Sequence, residues 1–173
     1  MKHMEFRFAV PEDMPEIMRV IHEAQRFMGG LGIDQWQDGY PEPEMMARDI
    51  ELGQLYVFAD GERVSAVAAL SLLPEPVYDA IEDGAWQSYS PYLTIHRMAL
   101  DDASRGGGLA GQMLAWAVQI ARKNNCNAIR VDTHRGNVAM RRFLAKNGFE
   151  YRGIVYYDVK PGDPVRVAYE KLM

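Results

Sequence analysis

Residues 105–111 read Arg-Gly-Gly-Gly-Leu-Ala-Gly, and so dense a run of glycine against the start of a helix needs a chemical reason. Each glycine costs about 0.5–1 kcal/mol relative to alanine inside a regular element. In return, a backbone without side chains lets an anion approach closely. The unpaired amides and positive end of a helix then bind it, and a pyrophosphate suits such a turn. Two nucleotide signatures can be held against the pattern. The phosphate loop of nucleotide triphosphatases needs Lys-Ser/Thr where this chain has Gln112-Met113. The dinucleotide fingerprint G-x-G-x-x-G is met literally from Gly106 through Gly107, Gly108, Leu109 and Ala110 to Gly111, with Asp132 near the position of a ribose-binding acid. That fingerprint should open almost directly from its strand. Here Asp101-Asp102-Ala103-Ser104-Arg105 intervenes, bringing two acids, and too little chain follows Asp132 for a dinucleotide fold.

The elements that must position this loop are readable from periodicity. "MEFRFAV" alternates as a strand, and "PEDMPEIMRVIHEAQRFMGG" has helical spacing at Ile17, Met18, Ile21, Ala24 and Met28. "PEMMARDIELG" reads as a second helix ended by Gly53. "LYVFADGERVSAVAALSLL" reads as a hairpin whose Asp-Gly suits a type I′ turn. A long loop, "PEPVYDAIEDGAWQSYSP", precedes the strand "YLTIHRMAL". Then come the helix "LAGQMLAWAVQIARKNN", the strand "AIRVDTH" and the helix "NVAMRRFLAKNG". Two last strands, "FEYRGIVYYDV" and "VRVAYEKLM", are joined by the turn "KPGDP". The order β-α-α-β-β-β-α-β-α-β-β implies an α/β (α+β) fold: one mixed, mostly antiparallel sheet of about seven strands with helices on both faces. No repeat or linker divides the chain, so a single domain over 1–173 is expected.

Bulk properties exclude several functions. A net charge of −5 leaves no basic stripe for nucleic acid. No stretch approaches the length of about 20 apolar residues that spans a membrane. The lone Cys126 can form neither an internal disulfide nor a zinc cluster, and no metal is expected. With no apolar leader at the start, these features suit a reducing cytoplasm.

Arg105, Gly108 and Ala110 form R-x-x-G-x-A, and the chain here resembles the GNAT acyltransferase family, whose coenzyme A signature is [RQ]-x-x-G-x-[GA] between a strand and a helix. Downstream, "NVAMRRFLAKNGF" resembles the family's second motif, with Asn137, Met140, Phe143, Leu144, Lys146 and Gly148-Phe149 in place. The element order resembles the family over nearly the whole chain. The resemblance implies an N-acetyltransferase that uses acetyl-CoA as co-substrate. The arm of the coenzyme would lie between the splayed strands "YLTIHRMAL" and "AIRVDTH", pairing with the backbone of Met98, Ala99 and Leu100. Amides from Arg105 through Gly111 would hold the pyrophosphate, Asn137 would bond the arm, and Phe143 would pack on it. A homodimer is compatible with the resemblance.

The implied reaction is direct attack of an amine on the thioester, which needs an ammonium deprotonated, an oxyanion stabilised and a thiolate released. Seven residues after Asn137, where many members carry a tyrosine that protonates the sulfur, this chain has Leu144. A thiolate of pKa about 8.5 can leave unaided, and Tyr151, Tyr156 and Tyr157 are substitutes. For the base, His96 lies within its strand, with the side-chain parity of Met98, and His134 ends the next strand. An imidazole of pKa about 6.5 suits either position. The acceptor, a small-molecule or peptide amine, would be met by aromatics and carboxylates of the two irregular stretches. Those residues are Trp36 and Tyr40 in the first, and Glu82 and Trp86 in the second. A non-catalytic acyl-CoA or nucleotide-binding module is the alternative, kept open by Leu144.

Overall fold

The structure, a computed structural model, describes residues 3–159 and 161–173. Lys160, the first residue of the expected "KPGDP" turn, and the first two residues of the expected leaderless start lie outside them. Seven strands form one sheet in the order β1-β2-β3-β4-β5-β7-β6. They are β1 (Glu5–Phe8), β2 (Leu55–Asp60), β3 (Arg63–Ser71), β4 (Tyr92–Leu100), β5 (Ala128–His134), β6 (Glu150–Tyr156) and β7 (Val165–Leu172). Among the described residues four α-helices accompany them: α1 (Met14–Gly30), α2 (Pro43–Glu51), α3 (Leu109–Lys123) and α4 (Val138–Lys146). The fold class is the one read from the sequence, a mixed and mostly antiparallel sheet. Among the described residues no helix is long and apolar enough to cross a membrane.

Residue contacts group the chain into two compact units. The first comprises the segment ending at Gly32, Trp36–Leu70 and His96–Trp116. In it, β1 and β2 pair antiparallel, with Glu5 opposite Ala59 and Phe8 opposite Tyr56. The helical spacing of α1 buries Ile17, Val20, Ile21 and Ala24 against Leu55, Val57 and Ala59 of β2 and Val64, Val67 and Ala69 of β3. Met46 of α2 and Ala99 of β4 complete this core. Full burial of one such aliphatic side chain contributes about 1.5–3 kcal/mol. The β2–β3 hairpin turns on Gly61-Glu62, since Asp60 already pairs with Arg63. Of the turn residues only Gly61 has positive φ, +60°. That is a type II′ turn with glycine first, not the type I′ turn expected on Asp-Gly.

The second unit comprises Ile33–Gln35, Ser71–Ile95 and Ala117–Met173. Its β4 and β5 pair in parallel over three positions, from Tyr92 opposite Ala128 to Thr94 opposite Arg130. β7 lies antiparallel between β5 and β6. The long segment before β4 is less irregular than its sequence suggests. It holds a 3-10 helix, Pro76–Ala80, that buries Tyr78 completely. Tyr78, Tyr92, Val155 and Ala168 form a small core there. Further on, Glu82 and Ile154 exchange both main-chain hydrogen bonds at 2.8 Å. Gly84 and Gly153 permit this approach, because a Cβ on either would strike the facing backbone.

Candidate functional site

In the first unit, the glycine loop follows β4 through a 3-10 turn, Asp102–Ser104, and its approach is pinned. Asp101 is buried, caps that turn by accepting the Ser104 N–H at 3.0 Å, and pairs with Arg63 at 2.9 Å. The Asp102 N–H donates to Glu23 of α1 at 2.7 Å, and Arg19 holds the same carboxyl at 2.9 Å. That backbone bond, outweighing burial and assisted by Arg19, keeps the Glu23 carboxyl below the usual carboxylate range. Both acids that counted against a phosphate site are therefore neutralised. Asp101 turns toward arginines, and the Asp102 side chain pairs with Arg105 at 3.1 Å. The Arg105 guanidinium also stacks 4.0 Å from the centroid of the Phe27 ring.

Gly106 and Gly108 stand at φ +74° and +84°, left-handed values that glycine adopts without a side-chain penalty. A Cβ on Gly106, Gly108 or Gly111 would meet nothing within 4 Å. The loop is thus open on the side where side chains would otherwise project. The first closed helical turn of α3 runs from the Gln112 N–H to the Gly108 carbonyl at 3.2 Å. Leu109, Ala110 and Gly111 lie inside that turn, where helix geometry leaves amides without an intrahelical partner. Open space, successive amides and a positive helix end fit a diphosphate.

Just before this loop, β4 departs from regular extension. Arg97 has φ +51° in the interior of the strand, which breaks the two-residue alternation. The parity argument linking His96 to Met98 therefore fails: a left-handed residue stands between them. Arg97 forks onto Asp49 of α2 at 2.6 and 2.9 Å and donates to the Tyr40 hydroxyl at 2.9 Å. Burial opposes its charge, but Tyr40 and Asp49 more than compensate and raise its pKa. The sequence reading missed this anchor, whose carboxylate lies 48 residues upstream. Met98, Ala99 and Leu100 follow Arg97 directly.

In the second unit, Asp132 and His134 stand two residues apart at the end of β5. The Tyr78 and Tyr157 hydroxyls both donate to Asp132 Oδ2 at 2.8 Å. His134 is buried, and its Nδ1 accepts the Gly136 N–H at 2.9 Å. That bond leaves the proton of a neutral ring on Nε2. Nε2 lies 2.8 Å from Asp34 Oδ1 and 3.6 Å from Asp163 Oδ2, without hydrogen-bond alignment. Burial would raise the Asp163 carboxyl, but the Val165 N–H, Arg135 and His134 hold it below the usual range. A neutral His134 in this arrangement has its one basic lone pair occupied.

Asn137 caps α4 by accepting the Met140 N–H at 3.2 Å, and Phe143 is half-buried. Leu144 is buried at 1% exposure, so the position that would carry a sulfur-protonating tyrosine is core. Among the three substitutes, Tyr151 donates to Asp83 at 3.1 Å, Tyr157 to Asp132, and Tyr156 is exposed.

The acceptor-pocket residues are more occupied than expected. Trp36 is half-buried against the first unit's core. The Tyr40 hydroxyl serves Arg97. Trp86 is half-buried, donates from Nε1 to the Tyr78 carbonyl at 2.8 Å, and carries the Arg130 guanidinium 4.3 Å from its ring centroid. A protein arginine thus takes the place foreseen for a substrate cation. Glu82 alone of the four keeps an exposed side chain with no partner assigned.

A model of the Acetyltransferase (GNAT) family matches residues 17–149. Among solved structures, a GNAT-family acetyltransferase from Streptococcus agalactiae 2603 superposes with a TM-score of 0.85 at 37% identity, over 98% of this chain and 95% of that one. A GNAT-family acetyltransferase from Listeria monocytogenes 4b F2365 follows at 0.75 and 22%, over 98% and 95%. The paia N-acetyltransferase from Thermoplasma acidophilum, in complex with coenzyme A, superposes at 0.72 and 16%, over 99% of both chains. The latter two likenesses are of fold. No curated protein matches the chain.

Proposed function

Since the chain belongs to the acetyltransferase (GNAT) family, we propose that it moves an acetyl group from acetyl-CoA to the primary amine of a small molecule or peptide. The observation that carries this reading is the loop before α3, where left-handed Gly106 and Gly108 face open space at a helix N-terminus. Amides from Arg105 through Gly111 hold the diphosphate, and the Asp101 and Glu23 tethers keep the loop in shape. The main chain of Met98, Ala99 and Leu100 meets the amides of the arm. Asn137 and Phe143 are assigned to the arm by family resemblance. When bound, acetyl-CoA supplies the activated acyl carbon.

Proton removal from the amine falls to His96 or His134 in this reading; the lone pair of a neutral His134 accepts from Gly136, so that bond opens before His134 takes a proton. Glu82, exposed on its loop, supplies negative charge for a cationic acceptor. A cytoplasmic location agrees with a lone, buried Cys126. The buried Leu144 favours a second reading, a module that binds acyl-CoA without turnover. One assay separates the two: thiol release from acetyl-CoA against a mixed amine library. Acceptor-dependent release is the expected result. Saturable binding without release from any amine supports the module, and no binding of coenzyme A at all refutes both.

A further inference from the structure

Arg97 stands at φ +51° inside a strand, a conformation that non-glycine residues keep only where their surroundings over-determine it. Here the surroundings are two side chains distant in sequence. Asp49 receives both arms of the guanidinium fork, and Tyr40 receives the remaining nitrogen. Asp49 is itself buried at 2% exposure and also accepts from Gln54 at 2.8 Å. Neither the left-handed residue nor the buried ion pair is an efficient route to stability, since apolar replacements of such pairs are often neutral or stabilising. Together they maintain one feature, a turn of the backbone immediately ahead of Met98, Ala99 and Leu100.

Resting on the acetyl-CoA reading above, we propose that Asp49, Arg97 and Tyr40 form a positioning unit that holds β4 in its left-handed turn. The turn aims the N–H and C=O groups of Met98–Leu100 at the amides of the coenzyme arm. The three side chains act through the main chain, so what matters at position 97 is the backbone angle that the anchor enforces. Glycine reaches that angle unaided and alanine does not.

The test compares Asp49→Asn/Arg97→Gly with Asp49→Asn/Arg97→Ala, which remove the same two buried charges and differ by one methyl group. Acetyl-CoA affinity is measured by calorimetry, and the Met98, Ala99 and Leu100 amides are followed by NMR in the ligand-free proteins. The glycine pair is expected to bind within about threefold of wild type, with those amide signals overlaying. The alanine pair is expected to bind about tenfold more weakly, about 1.4 kcal/mol, with the signals displaced. A merely structural ion pair predicts equal losses, and equal losses, or wild-type binding by both, overturn the proposal alone. Absence of acetyl-CoA binding by the wild type overturns the functional reading and this proposal together. Should the paired variants fold poorly, Arg97→Lys keeps the charge but lacks the fork. An unchanged affinity and unchanged amide signals in that variant also overturn the proposal.

Discussion

Replacing Gly108 separates the diphosphate cradle from everything else the protein does. A Cβ there would touch nothing within 4 Å, so the ligand-free protein resists alanine only through φ +84°. That left-handed angle costs an L-residue about 1–2 kcal/mol. At about 2–4 °C per kcal/mol for a chain of this size, the melting temperature should fall by about 2–8 °C. The effect on coenzyme A is larger. If the loop relaxes, or a side chain enters the open space, at least one charge-assisted hydrogen bond to the diphosphate is lost. Such a bond contributes about 1.5–3 kcal/mol, which is about 10–150-fold in Kd. Gly108→Ala and Gly108→Val should therefore weaken coenzyme A binding by that factor in calorimetry, valine more than alanine. Binding of pantetheine, which has no phosphate, should change little. Wild-type affinity of Gly108→Val for coenzyme A would refute the cradle, because no bulky side chain can share that space with a diphosphate.

The two histidines should part on substitution: whichever of His96→Asn and His134→Asn loses turnover while coenzyme A still binds identifies the base. Full turnover by both variants would remove the imidazoles from the proton-transfer step. Trp86→Ala removes the ring that packs on Tyr78 and Arg130 and should cost about 3 kcal/mol of stability. An increase in acceptor KM with unchanged melting would place Trp86 in the pocket instead. Acid should unfold the protein cooperatively below about pH 4. Asp13 is held low by Arg7, Glu16 by Arg19 and Glu23 by the Asp102 N–H. Their stabilisation is present above the unfolded carboxyl values of about 4 and is lost as pH falls through the lowered folded values. A melting temperature flat from pH 6 to about 3 would contradict this. Burial pushes the Cys126 thiol up, so native protein should react slowly with thiol reagents, and rapid labelling would show that its site opens.

Wherever a function of neighbouring residues sufficed, the sequence was a reliable guide. The apolar spacing of α1 buried Ile17, Ile21 and Ala24 as expected, and the order of strands and helices matched. The glycines at 106 and 108 marked a turn open to close approach beside a helix start, and the structure places both at positive φ. These features are local, set by side-chain periodicity and by conformations open to few residue types. Arginine gives no local sign of a left-handed angle, so the break in β4 and the failure of the His96 parity argument could not be seen. The Asp49 and Tyr40 partners of Arg97 lie 48 and 57 residues away. His134 stands at a strand end, where a base is expected, but the Gly136 amide occupies the basic lone pair of its neutral ring, and Asp34 approaches it from 100 residues upstream. The Trp86 ring, a surface suited to a ligand cation, carries Arg130. The sequence by itself determined which residues could bind an anion, accept a proton or hold a cation. Only the tertiary structure decided which were already engaged, because hydrogen bonds and ion pairs form between groups that chain folding, not chain order, brings within about 3 Å.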